Sequence, residues 1–169
     1  MQKQKGFSLI ELLIVVAIIL IIAAIGIPYL IRSQASADEA SAVASMRTLL
    51  SANSEYSNTY GIGYAAALAN LGGAAPCTSS SATACIIDPA LTTGNKSGYT
   101  FTSTPAGGAG TVVSPFTTVE IDASPVNPGI TGQRAFCADQ TGVIHYNTTG
   151  VGFATAAGTC AASGAPIVQ

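Results

Sequence analysis

Apolar residues fall along the chain in three successive patterns. Residues 12–31 run for twenty positions without a charge. At about 1.5 Å per residue in a helix this reaches roughly 30 Å, the hydrocarbon thickness of a bilayer. Beyond it, Val43, Met46, Leu49, Leu50, Tyr56 and Tyr60 recur at three- and four-residue spacings among Ala, Ser and Glu, the period of a helix with one apolar face. The two patterns join into one helix over residues 8–60, with Gly26 and Pro28 inside it. Proline removes an i to i−4 hydrogen bond and crowds the preceding turn, which predicts a kink at that point. The third pattern is a set of segments with strand character, at residues 99–104, 117–123, 133–138 and 143–147, separated by Pro, Gly and Asp. Asp139-Gln140-Thr141-Gly142 is a hairpin turn between the last two. Residues 61–98 predict a short helix over 64–71 and otherwise loop. The fold class is therefore α+β: a long N-terminal helix whose second half offers an apolar stripe to a small antiparallel sheet.

Composition sharpens this picture. The 169 residues suit one modest core, and charged residues make up only 8% against 49% hydrophobic, where soluble domains carry roughly 25% charge. The excess sits in the charge-free run, so a membrane is the first partner implied. A net charge of −2 provides no positive field for phosphates, and no nucleic acid is expected as a partner. Lys3 and Lys5 precede the run, Arg32 stands at its end, and Asp38 and Glu39 follow; the positive-inside bias places the N-terminus in the cytoplasm. All four cysteines then lie on the far side, where thiols oxidise. A secretory signal peptide is a poor reading, because its apolar stretch is shorter and closes on an A-x-A-like site. A plain anchor leaves Glu11 unexplained, since an ionised carboxylate in lipid costs roughly 2.5 kcal/mol or more. An acid in that position suggests a partner.

The residues Lys5-Gly6-Phe7-Ser8-Leu9-Ile10-Glu11-Leu12 supply the missing context. A short basic leader ending in Gly, then Phe, then Glu at the fifth position beyond the Gly closely resembles the type IV prepilin signature of type IV pilins and type II secretion pseudopilins. The resemblance covers the leader and the apolar run. It implies cleavage between Gly6 and Phe7 by a prepilin peptidase, which also N-methylates Phe7. Glycine at the cut leaves the backbone unobstructed. The precursor would be a single-pass protein of the bacterial inner membrane, taken by an inner-membrane assembly machinery into a helical homo-oligomeric filament and so into an extracellular pilus. Within such a filament the new amine of Phe7 is a cation among apolar helices, and the resemblance makes Glu11 of a neighbouring subunit its counter-charge. The local alternative is that Glu11 snorkels to the interface and favours its own helix dipole. The implied organisation is a leader at residues 1–6, a membrane or filament-core half-helix at 7–31, an amphipathic half-helix at 32–60, a connecting region at 61–98, and a sheet head with a C-terminal disulfide loop at 99–169. Similar pilins unwind locally near Gly26 and Pro28 during assembly. The runner-up is a major pseudopilin forming a periplasmic pseudopilus. A minor tip pilin acting as adhesin or DNA receptor is a third reading, its DNA version disfavoured by the low basic charge.

Four cysteines allow three connectivities. Cys77 with Cys85 and Cys137 with Cys160 is the economical pairing, and the second bridge would resemble the C-terminal disulfide loop of type IV pilins. In the chain-entropy account such loops stabilise by roughly 2.5 and 3.4 kcal/mol. A zinc site is disfavoured by the lack of a C-x-x-C pair and the single histidine. Asp122, Asp139 and Asn127 follow no calcium-loop spacing, and no C-x-x-C-H motif suggests haem, so neither metal nor cofactor is expected. His145 reads as an ordinary strand residue, no catalytic constellation emerges, and the chain is not expected to be an enzyme. The sequons at Asn95 and Asn147 read as chance occurrences.

Overall fold

The computed structural model describes residues 7–153, 160 and 164–167. The expected leader, with Lys3, Lys5 and the cleavage residue Gly6, lies outside the described residues, as does part of the expected C-terminal loop. Backbone contacts divide the chain into two units, Met1–Gln34 and Ala35–Gln169, joined by helix α1, Leu9–Tyr60. In the first unit every Leu, Ile and Val from position 9 onward is exposed, and the stretch is long and apolar enough to cross a membrane. The helix assignment passes Gly26 and Pro28 without a break, although Pro28 has no N–H to offer the carbonyl one turn back.

In the second unit α1 buries a stripe of Ala35, Glu39, Ala42, Met46, Leu49, Asn53 and Tyr56, alternating steps of three and four that keep one face inward. Against it lies a six-stranded antiparallel sheet in sequential order: β1 Asn95–Lys96, β2 Tyr99–Ala106, β3 Thr118–Pro125, β4 Ala135–Asp139, β5 Ile144–Asn147 and β6 Ala165–Pro166. The two-residue side-chain period sorts each strand between faces. Tyr99, Phe101, Val119, Ile121, Ala123, Phe136, Ala138 and Ile144 form one cluster with Met46, Leu49 and Tyr56 of α1. On the opposite face Ala135 and Cys137 meet Phe153 and Cys160 in a second, smaller cluster. Around β3 and β4 the sheet is therefore covered on both sides.

The α+β architecture follows the sequence expectation, and the four expected strands are β2 to β5. The hairpin turn closes with the Gly142 N–H donating to the Asp139 carbonyl at 3.0 Å, Gly142 taking a φ of +81°. Elsewhere the details differ. The helix expected over 64–71 is confined to α2, Leu68–Leu71, because Ala67 takes an extended backbone, φ −153° and ψ 161°, and its N–H is received by Asn70 Oδ1; the residues before it are tied to other elements. Tyr64 N–H donates to the Phe116 carbonyl and Ala65 N–H to Asn53 Oδ1. The expected loop also holds α3, Pro89–Thr92, whose N-cap Asp88 accepts from Leu91 N–H and which opens on a proline. β1 joins β2 through Ser97 and Gly98, both at positive φ, the backbone of a two-residue hairpin.

Asn53 is fully buried. Its amide donates to the Leu49 carbonyl at 3.1 Å while its oxygen takes the Ala65 N–H at 3.2 Å. Asn53→Ala leaves that N–H buried without an acceptor and is expected to cost about 1–3 kcal/mol, read as a lowered denaturant midpoint for the detergent-solubilised chain. An unchanged midpoint would show that this contact does not anchor the connecting region.

Candidate assembly site and its supporting head

At the start of α1 the backbone turns at Ser8, whose carbonyl accepts from Glu11 and Leu12 N–H at 3.1 and 3.3 Å. Glu11 occupies the third helical position, and its Oε2 accepts the Ser8 N–H at 2.9 Å. This is one half of a capping box, in which an acid one turn in satisfies a donor the helix leaves orphaned. Phe7 precedes it, 75% exposed. The two residues expected to serve assembly thus stand within one turn, and the carboxylate already has a partner in its own chain. Beside them Leu9, Leu12, Leu13, Val16, Ala17 and Leu20 line an apolar surface. A charged carboxylate at the head of such a face suits packing against similar helices, with one polar contact to fix their stagger.

The second unit carries its own cross-links. Cys77 bonds to Cys85 and Cys137 to Cys160, with Cα separations of 6.1 and 5.7 Å. The first pair is exposed and the second fully buried. Glu39 of α1 is a further anchor, absent from the sequence reading. Its Oε1 accepts the backbone N–H groups of Gln133 and Arg134 at 2.8 and 3.2 Å, and its Oε2 pairs with the Arg134 guanidinium at 2.8 and 2.6 Å. The guanidinium also lies over the Tyr146 ring, 5.6 Å from its centroid. Tyr99 donates its hydroxyl to the Arg134 carbonyl at 2.8 Å, and burial raises its phenol well above the ordinary value.

On the sheet face away from α1, β3 buries two acids, Glu120 and Asp122. Glu120 Oε2 accepts the Cys160 N–H at 3.2 Å. Both Asp122 oxygens are without a hydrogen-bond partner among the described residues; burial, and then the charge of Glu120, push this carboxyl up to about 7. The sequence signal for these two acids was weak, since acids on one face of a strand ordinarily mark solvent. His145 sits on β5 with its Nδ1–H donating to the Gly164 carbonyl at 3.1 Å, an ordinary structural contact. Asp122 lies on β3, Asp139 ends β4 and Asn127 follows β3, and no three His, Cys, Asp or Glu side chains gather as a metal site among the described residues.

A family model described as the prokaryotic N-terminal methylation motif matches residues 1–27, and this motif is the signature of type IV pilins and pseudopilins. The match takes in the leader, Phe7, Glu11 and the apolar part of α1 as far as Ile27. The signature is that of structural subunits rather than enzymes. No solved structure matches the chain.

Proposed function

We propose, from the methylation motif at residues 1–27, that this chain is the structural subunit of a type IV pilus filament. It is made as an inner-membrane precursor with its N-terminus in the cytoplasm, and a prepilin peptidase cuts it between Gly6 and Phe7 and N-methylates Phe7. The apolar half of α1 then leaves lipid to pack among copies of itself in the filament core. The observation that carries this reading is the combination of that motif with an apolar helix whose large side chains are exposed from Leu9 to Ile31, a surface that water does not tolerate and that lipid or identical helices would cover. The Phe7 amine of one subunit meets Glu11 of the next, and Pro28, which lacks a helical donor, is the point where α1 yields during packing.

Processing is tested on assembled material. Mass spectrometry is expected to find an N-terminal peptide beginning at Phe7 and one methyl group heavier than the sequence mass; an intact Met1 in filaments would overturn the reading. Imaging of cells lacking the gene then separates the systems. Loss of long surface filaments supports the pilus. Unchanged surface filaments combined with a block in protein secretion would instead assign the chain to a pseudopilus, which shares the chemistry of the motif.

A further inference from the structure

Only three Lys or Arg side chains lie in the second unit, and two of them are matched within the chain. Lys96 pairs with Asp88 at 2.9 Å and Arg134 with Glu39 at 2.6 Å. Arg47 of α1 has no ion pair or hydrogen bond among the described residues, and neither has Glu55, just over two turns further along the same helix. Both are exposed. Water alone can serve such ions, so their meaning depends on the surface between them.

That surface is a groove. Arg47, Thr48, Ser51, Ala52 and Glu55 follow one another at i, i+1, i+4, i+5 and i+8, one side of a helix, and with Ile86 they line a hollow of about 400 Å³. Thr48, Ser51 and Ala52 give it a low floor. Ile86 forms a wall, its N–H donating to the Leu71 carbonyl at 2.8 Å and its neighbour Cys85 bonded to Cys77. An arginine therefore stands at one end and a glutamate at the other, eight residues or about 12 Å apart along the axis.

We propose that this groove is a docking surface for a second copy of the chain, in which Arg47 of one copy pairs with Glu55 of a neighbour. On the filament reading, on which this inference rests, copies anchored through the same apolar run share one orientation, and their α1 helices run parallel. Parallel helices at the same level set Arg47 against Arg47 and Glu55 against Glu55. A slip of eight residues brings opposite charges together instead. Each copy then keeps its second charge for a third copy on its other side, so the contact is head-to-tail and propagates without closing. Antiparallel copies would satisfy both charges at once and stop at a dimer, which a shared orientation excludes. The slip has the same sense as the one that brings Phe7 to Glu11 of a neighbour, since in both pairs the acid lies C-terminal to its cation. An exposed pair of this kind adds little affinity; its effect is on register, because like charges brought face to face are strongly penalised.

Charge reversal tests this, scored as filaments per cell by electron microscopy in a strain lacking the native copy, with membrane level and cleavage checked by immunoblot. Arg47→Glu and Glu55→Arg are each expected to lower the count at least tenfold, since each places like charges at every joint. The double variant Arg47→Glu/Glu55→Arg is expected to regain at least half of it. Co-expression of the two single variants is also expected to recover filaments, because one then carries two acids and the other two arginines; a defect in the fold of a single chain is not repaired in that way. Arg47→Gln and Glu55→Gln cover the case in which a reversal lowers the subunit level: each is expected to reduce filaments about threefold, with no further fall when combined. Undiminished filaments from both reversals, failure of either rescue, or independent falls from the two Gln variants overturn the docking surface and leave the filament reading standing. A parent strain with neither surface nor periplasmic filaments overturns both.

Discussion

Glu11→Ala is expected to yield a subunit that is cleaved and membrane-inserted but forms no filaments. Insertion survives because the change only makes the apolar run more apolar, and cleavage survives because Gly6 and Phe7 are untouched. Two separate things are lost. Within the chain the Ser8 N–H loses its acceptor, a helix-start defect of about 1 kcal/mol. Between chains, in the proposed pairing, the Phe7 amine would lose its counter-charge, and burying that cation unpaired would cost about 3–5 kcal/mol per subunit by the broken-pair estimate. Repeated at every joint, the second term ends polymerisation. Glu11→Gln separates them, since its amide oxygen can still take the Ser8 N–H but carries no charge. In a strain lacking the native copy, with membrane level and cleavage checked by immunoblot, electron microscopy is expected to count almost no filaments for either variant. Normal filaments from Glu11→Gln would mean that the helix cap, and not the charge, is what assembly requires.

The second large effect is expected at Glu39. Glu39→Ala strips the acceptor from two backbone N–H groups and from the Arg134 guanidinium together. The guanidinium is 45% exposed and largely recovers its interactions with water, so most of the loss lies in the two N–H groups. About 2–4 kcal/mol is expected, a fall in Tm of roughly 5–12 °C for a unit of this size, measured by circular dichroism on the full chain in detergent. Arg134→Ala is expected to cost less than half as much, because Glu39 keeps both backbone donors. Equal losses from the two variants would show that the contact is an ordinary ion pair and that the backbone bonds contribute nothing.

Residues that act through hydrophobic period or local turn chemistry were legible in the sequence. Met46, Leu49 and Tyr56 mark the buried stripe of α1 by spacing alone, and Asp139 with Gly142 marks the β4–β5 turn. Two features of the connecting region were also written there in shorter signals: Asp88-Pro89 is a helix start, and Ser97-Gly98 a tight hairpin. What the pattern hid were polar residues inside the core. Glu39 and Asn53 fall in register with the stripe, but an acid and an amide break an apolar periodicity, and their partners lie 94 and 12 residues away in sequence. Glu120 and Asp122 were hidden for a related reason. Alternation along β3 puts them away from α1, yet only the disulfide between Cys137 and Cys160, 23 residues apart in sequence, brings chain over that outer face. At the helix start, the motif pointed to Glu11, whereas its hydrogen bond to Ser8 follows from Glu11 standing three residues beyond an N-cap serine.

The borders of the sheet have a consequence for how copies of this chain meet one another. β1 and β6 are two residues long, β6 ends on Pro166, and the part of β2 that extends beyond β1 contains Pro105. A proline at a rim withholds the N–H that an incoming strand would need, and a rim two residues long offers too few bonds to hold one. Confinement to a membrane raises local concentration, the circumstance in which exposed rims template runaway cross-strand aggregation. Among the described residues both margins disfavour lateral growth, so heads brought to high local concentration gain little from adding strands to one another.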